Sequence, residues 1–345
     1  MSSGLQRRRV AATESPGHSP VPESSKSDAP RSDVYYNEDG KKVAYDPEDI
    51  NNNAEEVKPP RLTLMEEVIL LGLKDTEGYL SFWNDNISYA LRGCIIMELA
   101  FRGKIAMVPD ASRRRLPLAD RYVQILDSKL TGEALLDETI KIIKSSEPLS
   151  VGTWIDYLSG ETWNLTKISY QLKQVRERLC KGLVDKGILR TEKRNFFLFD
   201  MATHPIADTN SKEDIKRRVI QLLTSRTVAL PDSPYFPEGV PFRHLRSIAL
   251  VAGAYAATVL ENVLVNLSYD ARDHAFNRAD ELLNDYSEWP FIAQASNSSV
   301  GANLAEEVSK ELSTPVGKSS ASDIELQIEV VAAVLSVYAK LDSIL

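Results

Sequence analysis

Apolar residues recur at helical spacing through most of the chain after residue 60, and the polar residues that bracket these runs carry helix-capping signals. The first run covers residues 62–71, where Thr63 and Glu66 form a capping-box pattern. A second run is capped by Asp85 or Asn86 and closed by Gly103. Comparable patterns predict further helices over residues 132–144, 150–158, 166–185, 211–225, 270–286 and 322–342.

Four segments depart from this amphipathic pattern. Residues 245–267 are nearly apolar on all sides, which predicts a helix at the centre of a bundle. Residues 104–108 indicate a short strand, residues 188–205 indicate a β-hairpin with an apolar tip, and the Ser-rich residues 296–321 are predicted to be irregular. Because helices outnumber strands, the expected fold class is mostly α: a globular helical domain around a central helical bundle, with one or two small β-hairpins.

The composition changes near residue 60. Residues 1–60 hold 7 of the 17 prolines and eight serines, and they contain neither Trp nor Phe. Such a segment buries too little apolar surface to offset chain entropy. We therefore predict a disordered N-terminal tail over residues 1–60 and a folded domain over residues 61–345.

Charge is distributed unevenly along the chain. The net charge is −8, yet residues 165–194 contain nine basic and three acidic residues, so this segment carries +6 and the remainder −14. This asymmetry is typical of a protein that docks one basic face on a phosphate-bearing surface. The uncharged stretch over residues 247–260 is shorter than the roughly 18–20 residues of a membrane span, and neither end carries a secretory or lipidation signal, so we expect a cytosolic protein.

Motifs that would indicate catalysis are missing from the sequence. The run Gly317-Lys318-Ser319-Ser320 ends like a phosphate loop, but Leu312 stands where an earlier Gly is needed. The four histidines are scattered, and Cys94 is better explained as a packed core thiol than as a nucleophile. The sequence thus predicts a non-enzymatic protein with no cofactor and no metal site.

Residues 166–185 carry the strongest binding signal. Four apolar residues recur on one side of the predicted helix and are expected to face the core: Ile168, Leu172, Val175 and Leu179. Lys173 and Arg176 share a neighbouring face and could converge on one phosphate. The competing interpretation is a solvated charged face in which Lys173 pairs with Glu177.

Trp83 precedes the helix that bears Arg92. A Trp at this position is either a core anchor or an amphipathic ring at a membrane–water boundary. Spacing alone does not show that Trp83, Arg92, Lys173 and Arg176 meet in space.

Three stretches resemble the Golgi phosphoprotein 3 family. The first covers residues 62–108 and includes Ser81-Phe82-Trp83 and Leu91-Arg92-Gly93. The second covers residues 190–205 with the run Asn195-Phe196-Phe197-Leu198-Phe199-Asp200, and the third is the helix from Arg246. The tail opening Leu5-Gln6-Arg7-Arg8-Arg9-Val10 resembles that of the fungal members.

The resemblance implies a cytoplasmic protein that associates peripherally with the cytosolic face of the Golgi membrane. It implies binding of phosphatidylinositol 4-phosphate and of the cytoplasmic tails of Golgi glycosyltransferases. These enzymes would be retained in the Golgi through coatomer-dependent retrograde transport. Homo-oligomers are expected, and nucleic acid is not an expected partner.

The resemblance also implies roles for particular residues. The family's lipid head-group pocket matches Trp83, Arg92, Lys173 and Arg176, with Lys173 in the place of an Arg of animal members. The hairpin residues Phe196, Phe197, Leu198 and Phe199 are similar to a loop assigned to membrane insertion or self-association, and the sequence does not choose between these roles. The cluster of Arg7, Arg8 and Arg9 matches the coatomer-binding cluster of fungal members.

Two other classes of protein are alternative interpretations of this sequence. A winged-helix nucleic-acid-binding module fits the order of helix 166–185 and an apolar-tipped hairpin, but the acidic total charge and the Phe residues at the tip count against it. A hydrolase that uses a phosphate-binding pocket lacks a nucleophile or base beside the predicted site.

Overall fold

A computed structural model describes residues 34–36, 42–44, 59–80, 85–160, 165–196, 199–291, 300–317 and 319–342. The chain divides into two compact units, residues 1–55 and 56–345. In the first unit, strands β1 (Val34–Tyr36) and β2 (Lys42–Ala44) pair antiparallel with Tyr35 opposite Val43. Disorder over residues 1–60 stays a prediction.

The described part of the second unit contains eleven α-helices, which confirms the mostly α class. Their bounds are α1 (Leu64–Gly72), α2 (Asp85–Phe101), α3 (Ala134–Lys144), α4 (Val151–Ser159), α5 (Val175–Asp185), α6 (Thr209–Thr224), α7 (Arg243–Ala256), α8 (Glu261–Leu264), α9 (Tyr269–Tyr286), α10 (Leu304–Ser313) and α11 (Ala321–Asp342). Short 3₁₀ helices cover Ala111–Arg115, Leu118–Asp120 and Leu165–Tyr170.

Helices α2, α7 and α11 pack against one another and form the central bundle. Their facing side chains, such as Leu91, Leu250 and Ile328, are completely buried. The predicted helix over residues 245–267 is, however, two helices. Thr258 adopts a left-handed φ of 57°, so α7 ends before it and the short α8 follows.

The centre of the bundle also encloses an ionic network around Glu98. Its carboxylate accepts hydrogen bonds from Arg102 at 2.7 Å, from Arg246 at 3.0 Å and from the backbone N–H of Leu64 at 3.1 Å. Burial alone acts to raise the pKa of Glu98, but the two guanidinium groups outweigh it and lower the pKa to about 2. The carboxylate is therefore ionised throughout the physiological range.

The first helix begins as the capping-box pattern predicts. Thr63 Oγ1 accepts from the backbone N–H of Glu66 at 3.4 Å, and the Glu66 carboxylate accepts from the N–H of Thr63 at 2.9 Å. Every residue of α1 is buried, so its acidic side chains need partners. Lys186 donates to Glu66, and Arg218 donates to Glu67.

Two antiparallel strand pairs complete the described part of this unit. Strands β3 (Ile105–Met107) and β4 (Val123–Ile125) pair with Ala106 opposite Gln124. The predicted hairpin is confirmed as β5 (Glu192–Phe196) and β6 (Phe199–Thr203), with Phe196 opposite Phe199. None of the helices in the described ranges combines the length and the apolarity that crossing a bilayer requires.

The base of this hairpin is fixed to the loop that follows α1. The backbone N–H of His204 donates to Gly78 O at 2.8 Å, and Arg194 Nη2 donates to Thr76 O at 2.7 Å. Gly78 has a φ of 69°, and a Cβ atom there would lie 2.2 Å from the backbone N of Pro205. Only glycine fits this close approach.

Two further predictions are wrong. Residues 296–321 contain helix α10, which buries Leu304 and Val308 against the domain. Residues 166–185 do not form one helix, because the 3₁₀ helix Leu165–Tyr170 and α5 are separated by the non-helical residues 171–174.

Candidate functional site

The break before α5 arises from contacts with the end of α4. The backbone N–H of Leu172 donates to Leu158 O at 3.0 Å, and Gln171 Nε2 donates to Ser159 O at 3.3 Å. Gln174 then takes the left-handed conformation, with φ 52° and ψ 38°, and serves as the N-cap without a side-chain bond. Residues 171–174 therefore run across the end of α4 instead of continuing a helix.

This break changes the predicted relation between Lys173 and Arg176. Lys173 lies in the non-helical segment, whereas Arg176 is the second residue of α5, so the two do not share a helix face. Ile168 also departs from the prediction, because 41% of it is exposed. Leu172, Val175 and Leu179 are buried as predicted.

Arg92 lies beneath this segment on α2 and is only 4% exposed. Its guanidinium donates to Leu158 O at 3.2 Å, to Leu172 O at 3.0 Å, and to both the carbonyl and the hydroxyl of Ser88 at 2.9 and 2.8 Å. Arg92 thus joins α2, the end of α4 and the residue directly before Lys173. It fixes the backbone that presents Lys173.

Lys173 and Arg176 are the exposed cations of the group. Within the part of the chain that the structure describes, no hydrogen bond or ion pair engages the Lys173 ammonium. Arg176 donates from Nη2 to Glu177 Oε1 at 2.7 Å, and about half of each side chain is exposed. The alternative pairing of Lys173 with Glu177 is not the one formed, since Glu177 binds Arg176.

The charges at the start of α5 are those of Arg176 and Glu177. Partial burial acts to raise the pKa of Glu177, but its own backbone N–H and Arg176 outweigh burial and lower the pKa. Glu177 is therefore ionised, and it competes with a bound anion for Arg176 and for the N–H of the first helical turn that it accepts. The first turn of a helix adds positive potential at the same end of α5.

The hairpin base lies beside this first turn. Partial burial and the positive charge of Arg176 lower the pKa of His204, and Glu177 opposes them. These effects show that His204, directly after β6, lies near the start of α5. His204 is accordingly neutral at pH 7 and adds no charge to the group.

Several residues predicted for the site lie outside the described residues. Trp83 precedes the start of α2 at Asp85, and Phe197 and Leu198 fall between β5 and β6. For Phe196 and Phe199 the structure gives the backbone pairing alone. Arg7, Arg8 and Arg9 also lie outside the described ranges.

An aromatic cluster next to these cations was missed by the sequence analysis. Tyr157 and Tyr170 stack with ring centroids 5.8 Å apart, and Trp154 meets Tyr170 edge-on at 6.0 Å. Lys167 Nζ lies 5.1 Å from the Tyr170 centroid and 5.7 Å from that of Tyr157. The four aromatic residues within residues 154–170 were the available signal.

The described residues offer little for catalysis. No group of three or more His, Cys, Asp or Glu among them is placed to hold a metal ion. Burial raises the pKa of the Cys94 thiol to about 12 and that of Cys180 to about 11, so neither is an activated nucleophile. His244 Nδ1 lies 2.8 Å from Glu311 Oε1, which gives this histidine a structural partner.

The amino-acid sequence was compared with known proteins. Residues 64–312 match the family described as Golgi phosphoprotein 3 (GPP34). The chain is 60% identical over 345 residues to the vacuolar protein sorting-associated protein 74 of Schizosaccharomyces pombe, with all of both chains covered. It is 53% identical over 344 residues to the protein of the same name from Eremothecium gossypii, with 99% of each chain covered.

Proposed function

The chain belongs to the Golgi phosphoprotein 3 family, and from this membership we propose that it is a Golgi-associated sorting adaptor without catalytic activity. In this proposal it binds phosphatidylinositol 4-phosphate on the cytosolic face of the Golgi. It grips the cytoplasmic tails of glycosyltransferases and links them to coatomer for retrograde transport. The observation that carries the lipid part is the pair of exposed cations held at the start of α5.

The lipid head group would be bound by Lys173 and Arg176. A phosphate is attracted by the compact positive charge of a Lys ammonium. It accepts two parallel hydrogen bonds from an Arg guanidinium. Lys173 supports this role because its ammonium is exposed and unengaged in the described structure. Arg176 would exchange its exposed bond to Glu177 for one to phosphate.

Arg92 would act as a positioning residue for this site. Its buried guanidinium holds Leu172 O, and this bond fixes the backbone on which Lys173 stands. Trp83 would provide an amphipathic ring at the membrane boundary, two residues before α2 begins. The site would then combine a backbone held in place by Arg92 with the exposed positive charges of Lys173 and Arg176.

The hairpin and the tail would supply the remaining contacts. The apolar segment Phe196 to Phe199 would insert into the membrane or join a second copy of the chain. Arg7, Arg8 and Arg9 would bind an acidic surface of coatomer. Joining several weak lipid sites in an oligomer raises avidity by about 10²–10⁴ without a new contact.

Vesicle flotation tests the lipid part of the proposal. The purified full-length protein is floated with vesicles of matched charge that carry either phosphatidylinositol 4-phosphate or phosphatidylserine alone. We expect selective flotation on the first set, reduced at least about fivefold by Lys173→Ala and by Arg176→Ala, since each cation near an anionic surface contributes about 1 kcal/mol.

Lys181→Ala is the matched control, because Lys181 is an exposed cation of the same helix α5, beyond its first turn. This variant should float like the wild type. Equal flotation on both vesicle sets, or equal losses in all three variants, would show a nonspecific basic face and refute the head-group site.

A further inference from the structure

Ile168 is a large apolar side chain that the fold leaves in water. It lies in the middle of the 3₁₀ helix Leu165–Tyr170 and is 41% exposed. Its position among buried residues at helical spacing predicted a core contact, and the break before α5 turns it outward instead. Exposure of Ile168 therefore follows from the backbone path, and its neighbours indicate which partner it could contact.

The segment that carries Ile168 is rich in cations. Residues 165–176 contain Lys167, Lys173 and Arg176 and no acidic residue, and Glu177, which follows, binds Arg176. The carboxylate of Glu147 touches Lys167 from outside the segment, at 4.0 Å, and its side chain is 75% exposed. An apolar tip among cations is complementary to a surface with an anionic outer layer and an apolar interior.

The segment is held rigidly from below. The stacked rings of Tyr157 and Tyr170 and the cation of Lys167 above them fix the 3₁₀ helix against α4. The N–H of Gln171 donates to Ile168 O at 3.2 Å, and the next residue, Leu172, is fixed by Arg92. Ile168 is thus presented from a fixed base and loses little conformational freedom on binding.

The short distance along the chain between Ile168 and the head-group site indicates that the partner of Ile168 is a lipid membrane. Lys173 lies five positions after Ile168, a reach of at most about 18 Å even if fully extended. A bilayer that presents a head group to Lys173 therefore lies within the same short reach of Ile168. Tyrosine rings and long Lys side chains are typical of this boundary, where an apolar body and a polar end are both accommodated.

We propose that the 3₁₀ helix Leu165–Tyr170 is a second lipid-contacting element, in which Ile168 enters the acyl boundary while Lys167 and the two tyrosine rings lie at the level of the head groups. This inference rests on the proposed function, because it takes the lipid head group to be bound at Lys173 and Arg176. The element acts beside the head-group site and separately from the apolar hairpin.

A probe attached at position 168 tests the contact directly. Ile168→Cys is labelled with an environment-sensitive fluorophore, and labelling is selective because Cys94 and Cys180 are buried and their thiol pKa values are raised to about 12 and about 11. Tyr269→Cys is the matched control, since Tyr269 is 81% exposed and begins α9, which packs on α6, α7 and α11. Vesicles with phosphatidylinositol 4-phosphate should shift the emission at position 168 to the blue and leave the control unchanged.

Affinity measurements supply the second readout. Ile168→Ser should weaken binding to these vesicles about tenfold, since the exposed part of one apolar side chain is no longer buried in the membrane. Ile168→Leu should bind like the wild type. Both variants should stay folded: Ile168→Leu should keep the melting temperature of the wild type, and Ile168→Ser should lower it by a few degrees, because the protein covers part of this side chain.

The outcomes separate this inference from the function on which it rests. If the wild type floats selectively but the probe at position 168 does not respond and Ile168→Ser binds normally, the inference is wrong and the head-group site stands. If the wild type does not float, the proposed function fails first. A blue shift without vesicles that grows with protein concentration would assign Ile168 to a contact between copies and overturn the lipid contact.

Discussion

Replacement of Arg92 by Ala tests whether Arg92 positions the backbone before α5 or only supplies a positive charge at the surface. The guanidinium is buried and donates to the carbonyl oxygens of Leu158 and Leu172, which lie far from it in the chain. In Arg92→Ala the carbonyl of Leu172 loses this donor, whereas Leu158 O keeps the backbone N–H of Leu172. A buried polar group left without a partner costs about 1–3 kcal/mol, so we expect a loss of about 2 kcal/mol in the free energy of unfolding.

This loss corresponds to a fall of about 4–8 °C in melting temperature for a domain of this size. It is measured by thermal and urea unfolding followed by circular dichroism. Vesicle flotation at a temperature where the variant is folded gives the second readout. We expect reduced binding there as well, because the segment that carries Lys173 has lost its anchor.

Two variants serve as controls. Lys173→Ala should lose vesicle binding at an unchanged melting temperature, since its side chain is exposed. Arg92→Lys keeps the charge, but one ammonium does not reproduce the planar fork that reaches both carbonyls, so it should restore only part of the stability. A melting temperature of Arg92→Ala within about 1 °C of the wild type would refute the reasoning, as would normal vesicle binding by the folded variant.

Three other predictions concern the core and the tail. Gly93→Ala should cost at least about 2 kcal/mol, because the new Cβ would lie 2.2 Å from the Tyr338 hydroxyl oxygen, whereas Gly239→Ala, which has open space, should be neutral in the same urea titration. Glu98 has a folded-state pKa near 2, below the ordinary 4.5, so its contribution of about 3 kcal/mol is present above pH 4.5 and is lost as the pH falls toward 2. Glu98→Gln should therefore be less stable at pH 7 and flatten the acid limb of stability measured between pH 5 and 2; parallel wild-type and variant curves would contradict this. Deletion of residues 1–15 should leave vesicle flotation intact and reduce coatomer pull-down, and equal pull-down would contradict the role of the basic cluster.

Helical spacing predicted most of the helices because most of them bury one continuous stripe. The prediction failed where a single residue takes a left-handed backbone. Gln174 and Thr258 have φ values of 52° and 57°. Neither Gln nor Thr is a residue type from which this conformation can be predicted. At Gln174 the cause is a distant contact, the bond from Leu172 N–H to Leu158 O, which spacing along the chain does not reveal.

The same contact shapes the backbone of the candidate site. Residue types and charge pointed to Lys173 and Arg176, and both are exposed. Arg92 is buried, because its donors satisfy carbonyls at the end of α4 and before α5, and its place in the head-group pocket stays a prediction. Helical spacing does not show that a buried guanidinium holds the backbone of a distant segment.

The arrangement at the start of α5 accounts for an attachment that is specific and still reversible under the proposed function. Two exposed cations and one apolar side chain contribute about 1–2 kcal/mol each, which leaves a single copy weakly bound to a membrane. The site gains selectivity from its rigid base instead, since Arg92 and the stacked rings of Tyr157 and Tyr170 hold the backbone before any lipid arrives. Weak single sites also make binding depend steeply on how many copies are joined. If the lipid phosphate is removed, each copy loses its head-group contact, and the oligomer as a whole should leave the membrane.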